Sequence, residues 1–155
     1  VPENMGIFSD LTVKENMLLA ARSAKHAAQM DEARLQWIFG LFPAVEKFWN
    51  HPAGKLSGGQ KQMLAVSRAI VEPRQLLIVD EPSKGLAPAI IDNMIQAFAG
   101  LKAAGVTILL VEQDVRLALE VAQHAYILEN GEMGLQGPSS ELIHDSAVRK
   151  AYLGA

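Results

Sequence analysis

Three short stretches carry residue types at spacings that chemistry can use. The first is Leu56-Ser57-Gly58-Gly59-Gln60, directly ahead of a helical run. Glycines let a backbone come close to a ligand, and a helix N-terminus presents free N–H groups with a partial positive charge. Such a pattern suits a phosphate oxygen, to which the Ser57 hydroxyl adds a further donor. The second is Leu76-Leu77-Ile78-Val79-Asp80-Glu81-Pro82, an apolar run ending in two carboxylates. A carboxylate at the end of a buried strand costs free energy unless it is paired or faces a cation. Asp80 and Glu81 therefore suit two tasks: holding Mg2+, directly or through water, and orienting an attacking water. The third is Val111-Glu112-Gln113-Asp114, after another apolar run. Taken singly, each has a plainer reading: a glycine turn that caps a helix, or a strand ending in solvated acids.

The elements that must position these residues can be read from periodicity. From Leu11 to about Phe42 the pattern is helical, with Thr12 placed as an N-cap. Met63, Val66 and Ile70 fall at helical spacing over Gln60 to Val71. Leu76 to Val79 reads as a short strand covered on both faces. Pro88 opens a helix with Ile91, Ile95, Phe98 and Leu101 on one stripe, and Gly105 stands where its C-terminal cap belongs. Val106 to Val111 is a second apolar strand, so strand, helix and strand make a right-handed parallel βαβ unit. A helix over Val115 to Ala122, a hairpin about Asn130-Gly131 and a helical end complete the chain. The fold class is α/β, led by a mostly helical piece. In open parallel sheets ligands bind beyond the carboxyl ends of the strands, which is where Asp80 and Glu81 fall.

Composition bounds the answer. The chain has 155 residues, half of them apolar, with 20% charged and a formal net charge of -3. That is the profile of one globular domain. No basic run exceeds two residues, which argues against a nucleic-acid surface. Without cysteine, disulfides and thiolate metal sites are excluded. No apolar run approaches the ~18 residues that would cross a bilayer. Val1-Pro2, with no charged and apolar leader, does not read as a signal peptide and reads as a cut end.

As an ordered set, "LSGGQ", "LLIVDEP" and "VEQD" resemble the nucleotide-binding subunit of an ABC transporter, over almost the whole chain. The resemblance implies part of a P-loop NTPase-type parallel sheet with an ABC helical subdomain, about residues 11–60. The catalytic α/β part and C-terminal hairpin and helix would then span about 61–155. It implies that Ser57, Gly58, Gly59 and Gln60 face the ATP γ-phosphate held by a second ATPase subunit across a head-to-tail dimer. It also implies that Asp80 is the Walker B aspartate serving Mg2+ and Glu81 the catalytic carboxylate polarising water. Glu3 stands where most members have glutamine; it can still offer oxygen to Mg2+ or water but cannot donate as an amide does. Ala87 takes the usual place of an aspartate in "EPSKGLAP". Gln113 stands where most members have the switch histidine; its amide can donate to a γ-phosphate oxygen but has no proton to exchange near neutral pH. The resemblance therefore implies a pH–rate profile with no limb due to position 113.

Glu3, "GLAP", "VEQ" and the terminal "AYLG" are together similar to an ATPase subunit of the branched-chain amino acid importers. That implies membrane-spanning permease subunits, a separate substrate-binding protein and a peripheral place on the cytoplasmic face of the inner membrane. Importers of urea or short amides are alternatives. The family's phosphate-cradling G-x-x-x-x-G-K-[ST] loop does not occur in these residues. On the resemblance, the chain corresponds to roughly the last two thirds of a domain of usual size. It would be inactive by itself, with apolar sheet faces and strand edges exposed and poor solubility. Two further readings are a relative working off the membrane and a non-catalytic module that engages a partner ATPase through "LSGGQ". The roughly fifty residues between Glu3 and Leu56 leave no room for the long coiled coils of repair-type relatives. The presence of Glu81 argues against the non-catalytic module.

Other residues have ordinary readings. His26, His51, His124 and His144 lack metal-ligand spacing. Phe39, Phe42, Phe48 and Trp49 read as subdomain core, or as the groove that receives a coupling helix of the membrane subunit. Asp31 and Glu32 read as a solvated helix start, and Lys84 as a solvent-facing loop lysine.

Overall fold

A computed structural model describes residues 1–21 and 30–153, which form two compact units, Val1–Leu109 and Leu110–Ala155. The first holds α1 (Val13–Ala20), α2 (Glu32–Leu41), α3 (Pro43–Lys47), a 3-10 turn (Ala53–Lys55) and α4 (Gly58–Ile70). It continues with β1 (Leu76–Asp80), α5 (Pro88–Ala103) and the opening of β2 (Thr107–Val111). The helical stretch expected from Leu11 to Phe42 is therefore α1 and α2, while the segment 22–29, with His26, lies outside the described residues.

Local chemistry sets the helix ends. Thr12 and Glu15 form a capping box: the Glu15 N–H donates to Thr12 Oγ1 at 3.2 Å and the Thr12 N–H to Glu15 Oε2 at 2.7 Å. Asp31 caps α2 by accepting the Arg34 N–H at 2.8 Å. At the end of α5 the Gly105 N–H bonds to Lys102 O and the Val106 N–H to Leu101 O, with Gly105 at φ +81°. This pair of bonds is a Schellman cap, and the left-handed residue in it calls for glycine. The buried stripe of α5 is Met94, Ala97, Phe98 and Leu101, with Ile91 and Ile95 half-buried. The expected face is thus turned slightly. Ile38, Phe42, Leu64, Val66, Phe98 and Leu101 are fully buried in this unit.

β1 and β2 are hydrogen-bonded neighbours in a parallel sheet, with the Thr107 N–H donating to Gln75 O at 2.9 Å. Ahead of α1, the Val1 carbonyl accepts the Asp80 N–H at 3.0 Å, so the chain start runs along β1. The expectation that β1 is covered on both faces is corrected. Leu77 and Val79 are buried, but Leu76 and Ile78 are 52% and 51% exposed. Side chains alternate across a strand, so an all-apolar run is buried on both faces only where two layers exist. The described residues supply one.

In the second unit, Asp114 caps α6 (Val115–Val121) by accepting the Leu117 N–H at 3.0 Å. β3 (His124–Glu129) pairs antiparallel with β4 (Glu132–Pro138), with a register shift between Ile127 and Leu128. Their turn has Asn130 at φ +51° and Gly131 at φ +83°, both left-handed, as a two-residue hairpin of this twist requires. α7 (Ser139–Leu142), α8 (Ser146–Val148) and a π-helical turn (Arg149–Leu153) follow. Leu119, Leu142 and Val148 form the core of this unit. No helix among the described residues is long and apolar enough to cross a membrane.

Candidate functional site

The signature residues open α4. Ser57 is its N-cap: Ser57 Oγ accepts the Gln60 N–H at 3.3 Å, and Gln60 Oε1 accepts the Ser57 N–H at 2.9 Å. Both side chains are therefore spent first on ordering the helix start, worth about 1 kcal/mol for such a cap. The Ser57 hydroxyl still has its proton to donate outward. The two glycines differ. Gly58 is exposed, and a Cβ there would meet only Leu86 Cδ2 at 3.8 Å, an ordinary contact. Gly59 is buried, and a Cβ there would lie 2.6 Å from Ile90 Cγ2. Gly59 lets α5 approach α4; Gly58 keeps the first turn bare toward solvent, where an anion could reach the free N–H groups.

Arg34 secures the far end of α4. Its Nε donates to Ile70 O at 2.9 Å, and its guanidinium lies 4.2 Å from the centroid of the Trp37 ring. The cation thus meets the negative end of the helix dipole. Burial lowers the Arg34 pKa, with Asp31 opposing.

The second cluster forms at the C-terminal end of β1. Asp80 is exposed, and Glu81, half-buried, has a left-handed backbone at φ +42°. That conformation costs a non-glycine residue about 1–2 kcal/mol. It starts a tight turn in which the Lys84 N–H donates to Glu81 O at 3.3 Å and Gly85 takes φ +71°. The turn carries Lys84 back over Glu81. Lys84 Nζ is 3.2 Å from Glu81 Oε2 and 2.5 Å from Glu3 Oε1. Lys84, read from the sequence as a solvent-facing loop residue, is exposed but is held between two carboxylates. The Glu3 contact, then the Glu81 contact, raises its pKa. The structure thus joins Glu3 and Glu81 through one ammonium, while Ser57 and Gln60 bond to each other. Gln113 belongs to the second unit, exposed, one residue before the Asp114 cap of α6.

The segment that carries Glu3 is pinned by two residues the sequence reading passed over. Asn16, fully buried, accepts the Phe8 N–H at 3.0 Å and donates to Phe8 O at 2.9 Å and Thr12 O at 3.0 Å. It orders a stretch without regular structure by satisfying its backbone groups. The signal was present: Val13, Asn16 and Met17 share one helix face, so an asparagine stands on an apolar stripe. Arg68, on α4, donates from Nη1 to Gly6 O and lies 5.4 Å from the centroid of the Phe8 ring. The signature helix thereby holds the turn that follows Glu3. Burial lowers the Arg68 pKa.

Among the described residues no three acidic or histidine side chains gather to cage a metal ion. Mg2+ commonly takes one or two carboxylates and completes its shell with water and phosphate oxygens. Asp80, exposed beside Glu81, fits an ion that arrives with a nucleotide, and an isolated protein cage is not what the donor set offers.

The aromatic cluster ahead of α4 is partly core. Phe42 is buried, while Phe39 and Trp49 are half-buried and meet edge to face at 5.2 Å between centroids. The backbone between them and the signature pairs with the start of α1, through Val13 N–H to His51 O at 3.0 Å and Lys14 N–H to Trp49 O at 2.9 Å.

Comparison with known proteins gives these clusters a context. The family described as "ABC transporter" matches residues 1–84. The high-affinity branched-chain amino acid transport ATP-binding protein BraG of Pseudomonas aeruginosa is 40% identical over 99% of this chain and 65% of its own length. The "probable branched-chain amino acid transport ATP-binding protein LivF" of Archaeoglobus fulgidus is 35% identical over 99% of this chain and 65% of its own length. The chain thus spans about 65% of the length of these curated relatives. Among solved structures, the dimeric post-hydrolysis state of the ATP-binding cassette MJ0796 with ADP and Pi superposes with a TM-score of 0.73. It is 23% identical, over 88% of this chain and 60% of that one, a likeness of fold alone.

Proposed function

The chain belongs to the ABC transporter family, and on that premise we propose that the whole protein binds and hydrolyses ATP to energise import of branched-chain amino acids. The observation that carries the chemistry is the end of β1, where Asp80 is the last residue of a parallel strand and Glu81 follows it in a strained backbone conformation. Such strain is typical of sites where function fixes a residue's geometry. Glu81 polarises the attacking water; Asp80 and Glu3 serve Mg2+, which supplies charge neutralisation on the phosphates when bound. Ser57, Gly58, Gly59 and Gln60 meet the γ-phosphate of ATP held by a second ATPase subunit in a head-to-tail dimer, and the Gln113 amide donates to a γ-phosphate oxygen. The exposure of Gly58 and of Ser57, whose hydroxyl oxygen only accepts within the cap, supports that role.

The likeness to BraG and LivF supports the substrate class and, with it, permease subunits, a separate substrate-binding protein and a peripheral place on the cytoplasmic face of the inner membrane. The test is leucine uptake into proteoliposomes holding the reconstituted transporter. Glu81→Gln is expected to keep ATP binding while hydrolysis and uptake fall at least a hundredfold. Uptake of urea or short amides with none of leucine would move the substrate; hydrolysis unaffected by Glu81→Gln would remove the mechanism.

A further inference from the structure

We propose that Lys84 is a positioning residue that acts as a charge latch, bridging Glu3 and Glu81 and competing with the incoming divalent cation for the Glu3 carboxylate. The inference rests on the hydrolytic reading of Glu81 and adds a residue to it.

The geometry is specific. One ammonium lies 2.5 Å from Glu3 Oε1 and 3.2 Å from Glu81 Oε2, across 81 residues of chain in the first case and one tight turn in the second. The turn is built for this approach, since the Lys84 N–H also bonds to Glu81 O and Gly85 supplies the left-handed residue that follows. An ammonium with three donors satisfies two carboxylates at once. While it is held there, Glu3 has one oxygen fewer to offer a divalent ion. With Lys84 engaged, the segment bearing Glu3 and the carboxylate at the end of β1 are held as one piece. Lys84 would be repelled from this place by a divalent ion held by Asp80 and Glu3, and its departure would release Glu81. Both carboxylates and the lysine are at least partly exposed, so solvent and salt weaken the competition and the effect is a matter of severalfold.

The test uses the whole protein with ADP present and Mn2+ as the probe, free Mn2+ being read from its electron paramagnetic resonance signal. Lys84→Met keeps the chain length and removes the charge; half-saturation is expected at about two- to fivefold less Mn2+ than in the wild type. Lys84→Arg keeps the charge and is expected within twofold of the wild type. Adding Glu3→Gln to Lys84→Met is expected to erase the gain, because the carboxylate set free is then absent. Unchanged or weaker Mn2+ binding in Lys84→Met overturns the latch, as does a gain that survives Glu3→Gln. ATP hydrolysis and its loss in Glu81→Gln are measured on the same preparations. If hydrolysis depends on Glu81 and Mn2+ binding ignores Lys84, the latch alone fails; if no hydrolysis depends on Glu81, the underlying reading fails.

Discussion

Replacing either glycine of the signature by alanine should silence the same ligand contact, yet the two substitutions are expected to differ in stability. At Gly59 the new Cβ would lie 2.6 Å from Ile90 Cγ2 and 3.3 Å from Ile90 Cγ1. Carbon atoms pack at about 3.5–4.0 Å, so α4 and α5 must part by about 1 Å or Ile90 must leave its rotamer. Overpacking of this kind costs about 1–3 kcal/mol. Exchanging glycine for alanine in a helix returns about 0.5–1 kcal/mol. The net expectation for Gly59→Ala is a loss of about 0–2.5 kcal/mol, or up to about 10 °C in Tm for a protein of this size class, and in either case below Gly58→Ala by the overpacking cost. At Gly58 the nearest atom is Leu86 Cδ2 at 3.8 Å, so only the helix term acts and Tm should hold or rise slightly. The assay is urea and thermal denaturation followed by circular dichroism, on both single variants and on Gly59→Ala with Ile90→Ala. Removing the Ile90 branch should return most of the loss, with a coupling energy of about 1 kcal/mol. Equal Tm for the two alanine variants, or a Gly59→Ala loss indifferent to Ile90, would refute the division of labour between the glycines.

Further outcomes are expected elsewhere. Asn16→Leu leaves the Phe8 N–H without its partner, while the Phe8 and Thr12 carbonyls keep the backbone N–H groups of Leu11 and residue 16, and a loss of about 1–3 kcal/mol with faster proteolysis near Phe8 should follow. Arg34→Met removes the bond to Ile70 O and the stacking on Trp37; a loss of about 1–2 kcal/mol in the urea midpoint analysis is expected. Glu15 has its pKa lowered from 4.5, first by the Thr12 N–H and then by the Thr12 hydroxyl. The stability it contributes is therefore complete above pH 4.5 and lost as pH falls through the lower folded value. A melt series from pH 6 to pH 3 should show that slope reduced in Glu15→Gln.

Much of the fold was legible because its signals are local. Thr12 with Glu15, Pro88, Gly105 and Asn130-Gly131 each set a cap or turn through the few residues beside them. The candidate residues could be named by type and order, and the family match over residues 1–84 contains the first two of the three stretches. What escaped the reading depends on neighbours far along the chain. Lys84 meets Glu3 across 81 residues, Gly59 meets Ile90, and Arg68 meets Gly6. No spacing rule reports such contacts. The exposure of Leu76 and Ile78 was not legible in the apolar run, which states that a strand can be covered on two sides and not that it is; only the resemblance, which implied exposed apolar sheet faces, pointed to it.

The left-handed backbone at Glu81 has a consequence for how this position can change over time. Glycine and asparagine accept that conformation with less strain than glutamate, and neither carries a carboxylate. In the proposed mechanism, drift toward either would favour the turn while ending hydrolysis. Folding stability therefore gives this site no protection against silencing; in the proposed mechanism, only the demand for turnover keeps a carboxylate there.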